Sequence, residues 1–244
     1  MCHNAGACGV NKVVGAYMKD FNMDRFSTPG LYLLMPDGET ITLTHEAITA
    51  TTQMLLDDPT AIPEHVRSAT EYKPCDICPE RDRAVICHAI MPTLPFFDDV
   101  DRYMSYDKVT AIYREVDSDF VVVSETTMQD ALQFITILSL IHHCEVGQQY
   151  TAYFEGINPL MPLPEIGRAV FLNIYFASRG DLTLAAQIAD EMSANILHTA
   201  RCQTERLRLI SRGDAFLNAF VSTELITHFV MNELHDHLEG VQKE

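Results

Sequence analysis

The period of the apolar residues changes near residue 125, and that change limits the possible fold more than any other feature of the chain. Before it, short apolar runs are separated by turn signals. Residues 31–35 and 40–44 flank Pro36-Asp37-Gly38-Glu39, and an Asp-Gly pair between such runs predicts a β-hairpin. A helix follows from Thr44 as N-cap, with Ala47, Ile48 and Leu55 on its apolar side, and stops before Pro59. Further β-like runs lie at 84–91, 109–114 and 120–124, the last two joined by a short polar stretch suited to a second hairpin. Together they predict a small, mostly antiparallel sheet with one or two helices.

After the change, apolar residues recur at helical spacing. A helix capped by Thr126 or Thr127 is expected to reach about residue 146 on Ala131, Phe134, Ile135, Leu138 and Ile141. Pro159, Pro162 and Pro164 interrupt the chain before a helix over about 165–178 that stops at Gly180. Asp181 opens a long helix to about 211, ended by Gly213, and Asp214 opens the last, to about 238. Short connections between helices favour antiparallel neighbours. The expected architecture is therefore α+β: an α+β metal-binding domain over 1–125, then an all-helical bundle domain over 126–244.

Composition narrows the classes of function. With 244 residues, 47% of them hydrophobic, the chain can bury a core without covalent staples. A formal charge of −17 and the lack of any basic tract disfavour binding to nucleic acid and to anionic membranes. The same charge favours metal cations or a basic protein partner. The longest apolar run, 134–141, has eight residues where a spanning helix needs about 20. The start, MCHNAGACGVNK, has no basic segment followed by an apolar one, so the seven cysteines are expected in a cytoplasmic protein as thiols or ligands.

The sharpest motif is Cys75-Asp76-Ile77-Cys78 between Pro74 and Pro79, with Cys87-His88 nine positions further on. Two thiolates separated by two residues at a Pro-bounded turn can face one ion, as they do in zinc and iron–sulfur sites. Cys75, Cys78 and Cys87 supply three ligands, and the fourth is sought among His88, Cys8, Cys2 and His65. In a β-like run, Cys87 and His88 would point to opposite faces, so both can ligate only if the strand ends or bulges there. Zinc is the expected metal because only three cysteines lie close in sequence, with an iron–sulfur cluster as the alternative. Without metal, the three would form a redox dithiol or pack as small hydrophobes.

Other polar groups also have the side chains for chemistry. Cys2 would become an N-terminal nucleophile if Met1 were removed, giving an amidohydrolase or amidotransferase, but no supporting motif accompanies it. On the long helix Glu191, Asn195, His198, Cys202 and Glu205 share one stripe, and on the last helix Glu224, His228 and His235 share a face. No Glu-x-x-His occurs, so these stripes, like His142-His143 at the end of their helix, are expected to be solvated or at an interface. Asp98, Asp99 and Asp101 read as a solvated turn.

Three classes of function follow: a zinc-stabilised regulatory or protein-interaction module, an enzyme using Cys2 or a metal-bound water, and an iron–sulfur redox component. The two last helices carry more apolar surface than one antiparallel pair hides, including Leu184, Ile188, Met192, Phe216 and Phe220, which predicts a homodimer.

Overall fold

Strand alternation builds the front of the molecule. β1 (Gly30–Leu34) pairs antiparallel with β2 (Thr40–Thr44), Leu31 opposite Leu43 and Leu33 opposite Ile41, and all four side chains are buried on one face. The opposite face carries Tyr32 and Ile112, packed with Phe26. The computed structural model describes residues 23–71, 75–84, 86–118 and 120–241. The hairpin turns at Gly38 (φ 89°), and the Asp37 carboxylate accepts from the Glu39 N–H at 3.0 Å. Gly30 is required where β1 begins: at φ +144°, a Cβ there would lie 2.5 Å from Thr44 Cα.

Thr44 caps α1 (His45–Asp57), its hydroxyl accepting from the Ala47 N–H at 3.3 Å. α2 (Glu64–Glu71) follows, and α3 (Phe97–Val100) is a single turn. β3 (Lys108–Arg114) and β4 (Val121–Thr127) complete an antiparallel sheet of order β2-β1-β3-β4. Among the described residues of the stretch 84–91, the expected strand is not formed. A 3-10 helix runs instead from His88 to Phe96, with Pro92 and Pro95 inside it. Neither proline has an N–H to give a strand ladder, and Ala89, Ile90 and Met91 are consecutively buried, which an alternating strand with one open face cannot achieve.

The rear of the chain is helical. Thr127 caps α4 (Met128–Ala131), and α5 (Gln133–Ile137) leads into a π-helical turn over Leu138–His143, so the single helix expected here is broken. Then come α6 (Leu163–Ala177), α7 (Leu182–Ile210) and α8 (Ala215–Val241). Gly167 lets α6 approach α8, since a Cβ there would sit 2.4 Å from Phe229 Cβ. One hydrophobic core is made by the rear helices alone, around Ile141, Phe171, Met192, Ile226 and Val230. The larger core joins residues from both sides of position 125, Leu31, Leu33 and Ile41 of the sheet with Ala200, Leu207, Phe216 and Phe220.

Two carboxylates fasten the same junction. Asp101, expected in a solvated turn, accepts from the backbone N–H groups of Arg212 (2.8 Å) and Gly213 (3.0 Å) between α7 and α8. Asp214 accepts from the Ser105 N–H at 2.7 Å and its hydroxyl at 3.0 Å. Among the described residues, no helix is long and apolar enough to cross a membrane.

Candidate metal centre

The buried stripe of α7 changes chemistry along its length. Ala185, Ala189, Met192 and Ile196 are followed on the same stripe by Thr199, Gln203, Thr204 and Arg206, all buried. Polar side chains on a buried helical face need partners: Thr199 and Thr204 turn their hydroxyls back on carbonyls of α7 itself, whereas the Gln203 amide reaches Cys87 at the front of the chain. α2 packs on this half of α7, and the loop after α2 delivers Cys75 and Cys78. The knuckle closes on itself through the Cys78 N–H, which donates to the Cys75 carbonyl at 3.1 Å.

A cavity of about 230 Å³ lies between that loop, the 87–89 segment, residues 144–145 and α7. All five cysteines of the described residues line it: Cys75, Cys78, Cys87, Cys144 and Cys202. None is in a disulfide. Ligand atoms of Cys75, His198 and Cys202 lie within 4.8 Å of one another, the one such group found among the described residues. Zn–S bonds of about 2.3 Å and Zn–N bonds of about 2.0–2.1 Å put tetrahedral donors roughly 3.5–3.8 Å apart, so small side-chain shifts would close the three on an ion.

His198 and Cys202 are four residues apart on one helical face, and Cys202 Sγ lies 3.7 Å from His198 Nε2. Asp76 Oδ1 is 2.7 Å from the same nitrogen. Because both contacts use Nε2, they do not form a nucleophile–imidazole–carboxylate relay, which needs one partner on each nitrogen. An ion taking that nitrogen would displace the exposed Asp76 carboxylate.

The thiols are not equivalent. Cys75 is held protonated, first by its hydrogen bond to Cys202 and then by burial. Cys202 is pulled below its ordinary value by that hydrogen bond and by the Arg206 charge, against the effect of burial. A cation bound between the two sulfurs would replace the proton that their hydrogen bond holds. Burial raises Cys78, and it pushes Cys144 up to about 12.

The structure brings four of the five expected ligands, Cys75, Cys78, Cys87 and His88, to this cavity. The loss of the strand lets the adjacent Cys87 and His88 both line it. Cys8 and Cys2 lie outside the described residues, and with Cys2 the proposed N-terminal nucleophile. His65 is exposed on α2, away from the cavity. The stripe of α7 departs from its solvated expectation at its centre: Glu191 and Glu205 are exposed, but His198 and Cys202 join Cys75. The signal for these two was present as a His–Cys pair at spacing four, and Cys144 gave none beyond its type. His228 and His235 are exposed, and Glu224 lies 3.8 Å from Arg201. Comparison with known protein families, with curated proteins and with solved structures gave no match for this chain.

Proposed function

We propose that this chain is a zinc-binding regulatory or protein-interaction module, in which the ion ties the cysteine loop to α7. The observation that carries this reading is the approach of Cys75, His198 and Cys202 to within 4.8 Å, from segments far apart in sequence. Cys78, three residues from Cys75 and on the same cavity wall, is the fourth ligand. Two or three thiolates with one imidazole suit zinc among the common divalent metals. Since the ligands come together only on folding, the binding free energy adds to stability and fixes the front of the molecule against the rear. A surface set in this way is what a protein partner, or a second copy in a homodimer, would read. The free thiols at the cavity are what favours a reducing, cytoplasm-type compartment.

A second reading, an iron–sulfur cluster on four thiolates, is favoured by the convergence of five cysteines on one cavity. Elemental analysis and a visible spectrum of protein purified without oxygen or chelator separate the two. The expected result is zinc and no colour, with the ion at Cys75, His198 and Cys202 lost and the melting temperature lowered by roughly 10 °C in Cys75→Ser and Cys202→Ser. A brown protein containing iron would replace zinc by the cluster. A metal-free wild type as stable as the variants would remove both readings.

A further inference from the structure

Resting on the zinc reading above, we propose that the cavity binds a second zinc ion, held by Cys87, Cys144 and His88. The donor count leads there. Five thiols and the imidazoles of His88 and His198 stand at the cavity, whereas a tetrahedral ion takes four ligands. Once Cys75, Cys78, His198 and Cys202 are assigned to the first ion, Cys87, Cys144 and His88 remain, and they are neighbours. Cys87 packs against the small cluster of Ala89, Cys144 and Val146, and His88 is the next residue in the chain.

The surroundings of this set are those of a ligand shell. His88 Nδ1 lies 2.9 Å from Glu145 Oε1, which fixes the ring and leaves Nε2 as the nitrogen to bind an ion. A carboxylate behind a metal-binding imidazole is a common arrangement, because it sets the tautomer and raises the basicity of the ligand. Gln203 is an independent observation. It is 2% exposed, its amide Nε2 donates to Cys87 Sγ at 3.0 Å, and its Oε1 has no hydrogen-bond partner. An N–H aimed at sulfur favours a sulfur bearing negative charge, as a metal-bound thiolate does.

The second set does not share the 4.8 Å spacing of the first, so capture of its ion draws side chains together and costs affinity. The two ions therefore bind in sequence, the second more weakly, with water from the cavity in its fourth position.

The test is zinc titration of the full-length chain, stripped with chelator and kept reduced, against a competing chromogenic indicator. The wild type is expected to take two equivalents in two steps. Cys87→Ser/Cys144→Ser should take one, and Cys75→Ser/Cys202→Ser should lose the tighter step. Alkylation of the wild type read by peptide mass spectrometry serves as well if a variant fails to fold. Cys87 and Cys144 should become protected only as the second equivalent is added. A single equivalent, with Cys87 and Cys144 labelled alike before and after zinc, would overturn the second ion and leave the first in place. No zinc at all would overturn both.

Discussion

The two halves of helix α7 lie on one continuous buried stripe and do different work. The first half buries Ala185, Ala189, Met192 and Ile196 against residues of the rear core. The second buries Thr199, Gln203, Thr204 and Arg206 beside the apolar Ala200 and Leu207, and presents His198 and Cys202 to the cysteine loop. Apolar burial is non-directional and stabilises in proportion to area. Polar burial costs free energy unless each group is met by a partner of fixed geometry. The contrast teaches that a helix can be a core element at one end and the wall of a site at the other, without a break in its period.

The strongest way to break this comparison is to remove the front of the molecule. The core around Phe171, Met192 and Val230 is built wholly from rear residues, so a fragment of residues 126–244 is expected to remain mostly helical by far-UV circular dichroism. The polar half of α7 would lose its cysteine loop, and the fragment should bind no zinc through Cys202 and His198. A disordered spectrum would show that the rear helices depend on the sheet.

Point substitutions sharpen the contrast within one helix. Met192→Ala in the apolar half should cost about 2–5 kcal/mol in denaturant unfolding, from lost burial and a residual cavity, with zinc stoichiometry unchanged. Gln203→Met in the polar half should cost less than about 1 kcal/mol or stabilise, because the bond it loses to the Cys87 sulfur is offset by removal of a buried oxygen that has no partner. It should nonetheless weaken zinc uptake. Equal stability losses for the two variants would mean that the halves do not differ in kind.

The smallest effect concerns pH. His45, edge-on to Phe134 with ring centroids 5.2 Å apart, is held below its ordinary value of 6.5, first by burial and then by the nearby His142. The folded state thus favours the neutral ring and the unfolded chain binds the proton more readily. This contribution is fully present above pH 6.5 and is lost as pH falls through the window below it. His45→Gln is expected to flatten the fall in stability on mild acidification, measured as urea midpoints across that range. An unchanged slope would assign the acid sensitivity to other groups.

Much of the architecture could be read from local patterns. The Asp37-Gly38 turn, the Thr44 and Asp181 caps and the helical spacing after residue 125 each depend on neighbours within a few positions, and each appears where those patterns place it. The miss at 84–91 has the same origin in reverse. A β-like composition there was outweighed by the proline-containing 3-10 helix that begins at His88, and by the consecutive burial of Ala89, Ile90 and Met91.

Half of the candidate centre was equally visible, since Cys75, Cys78, Cys87 and His88 form a compact motif in the chain. What only the tertiary structure decided is which partners complete it. His198 and Cys202 are brought by the packing of α7 on α2, and Cys144 by the turn that follows the π-helical segment. Metal ligation depends on donor atoms meeting within a few ångströms, and that distance is set by the docking of helices rather than by spacing along the sequence.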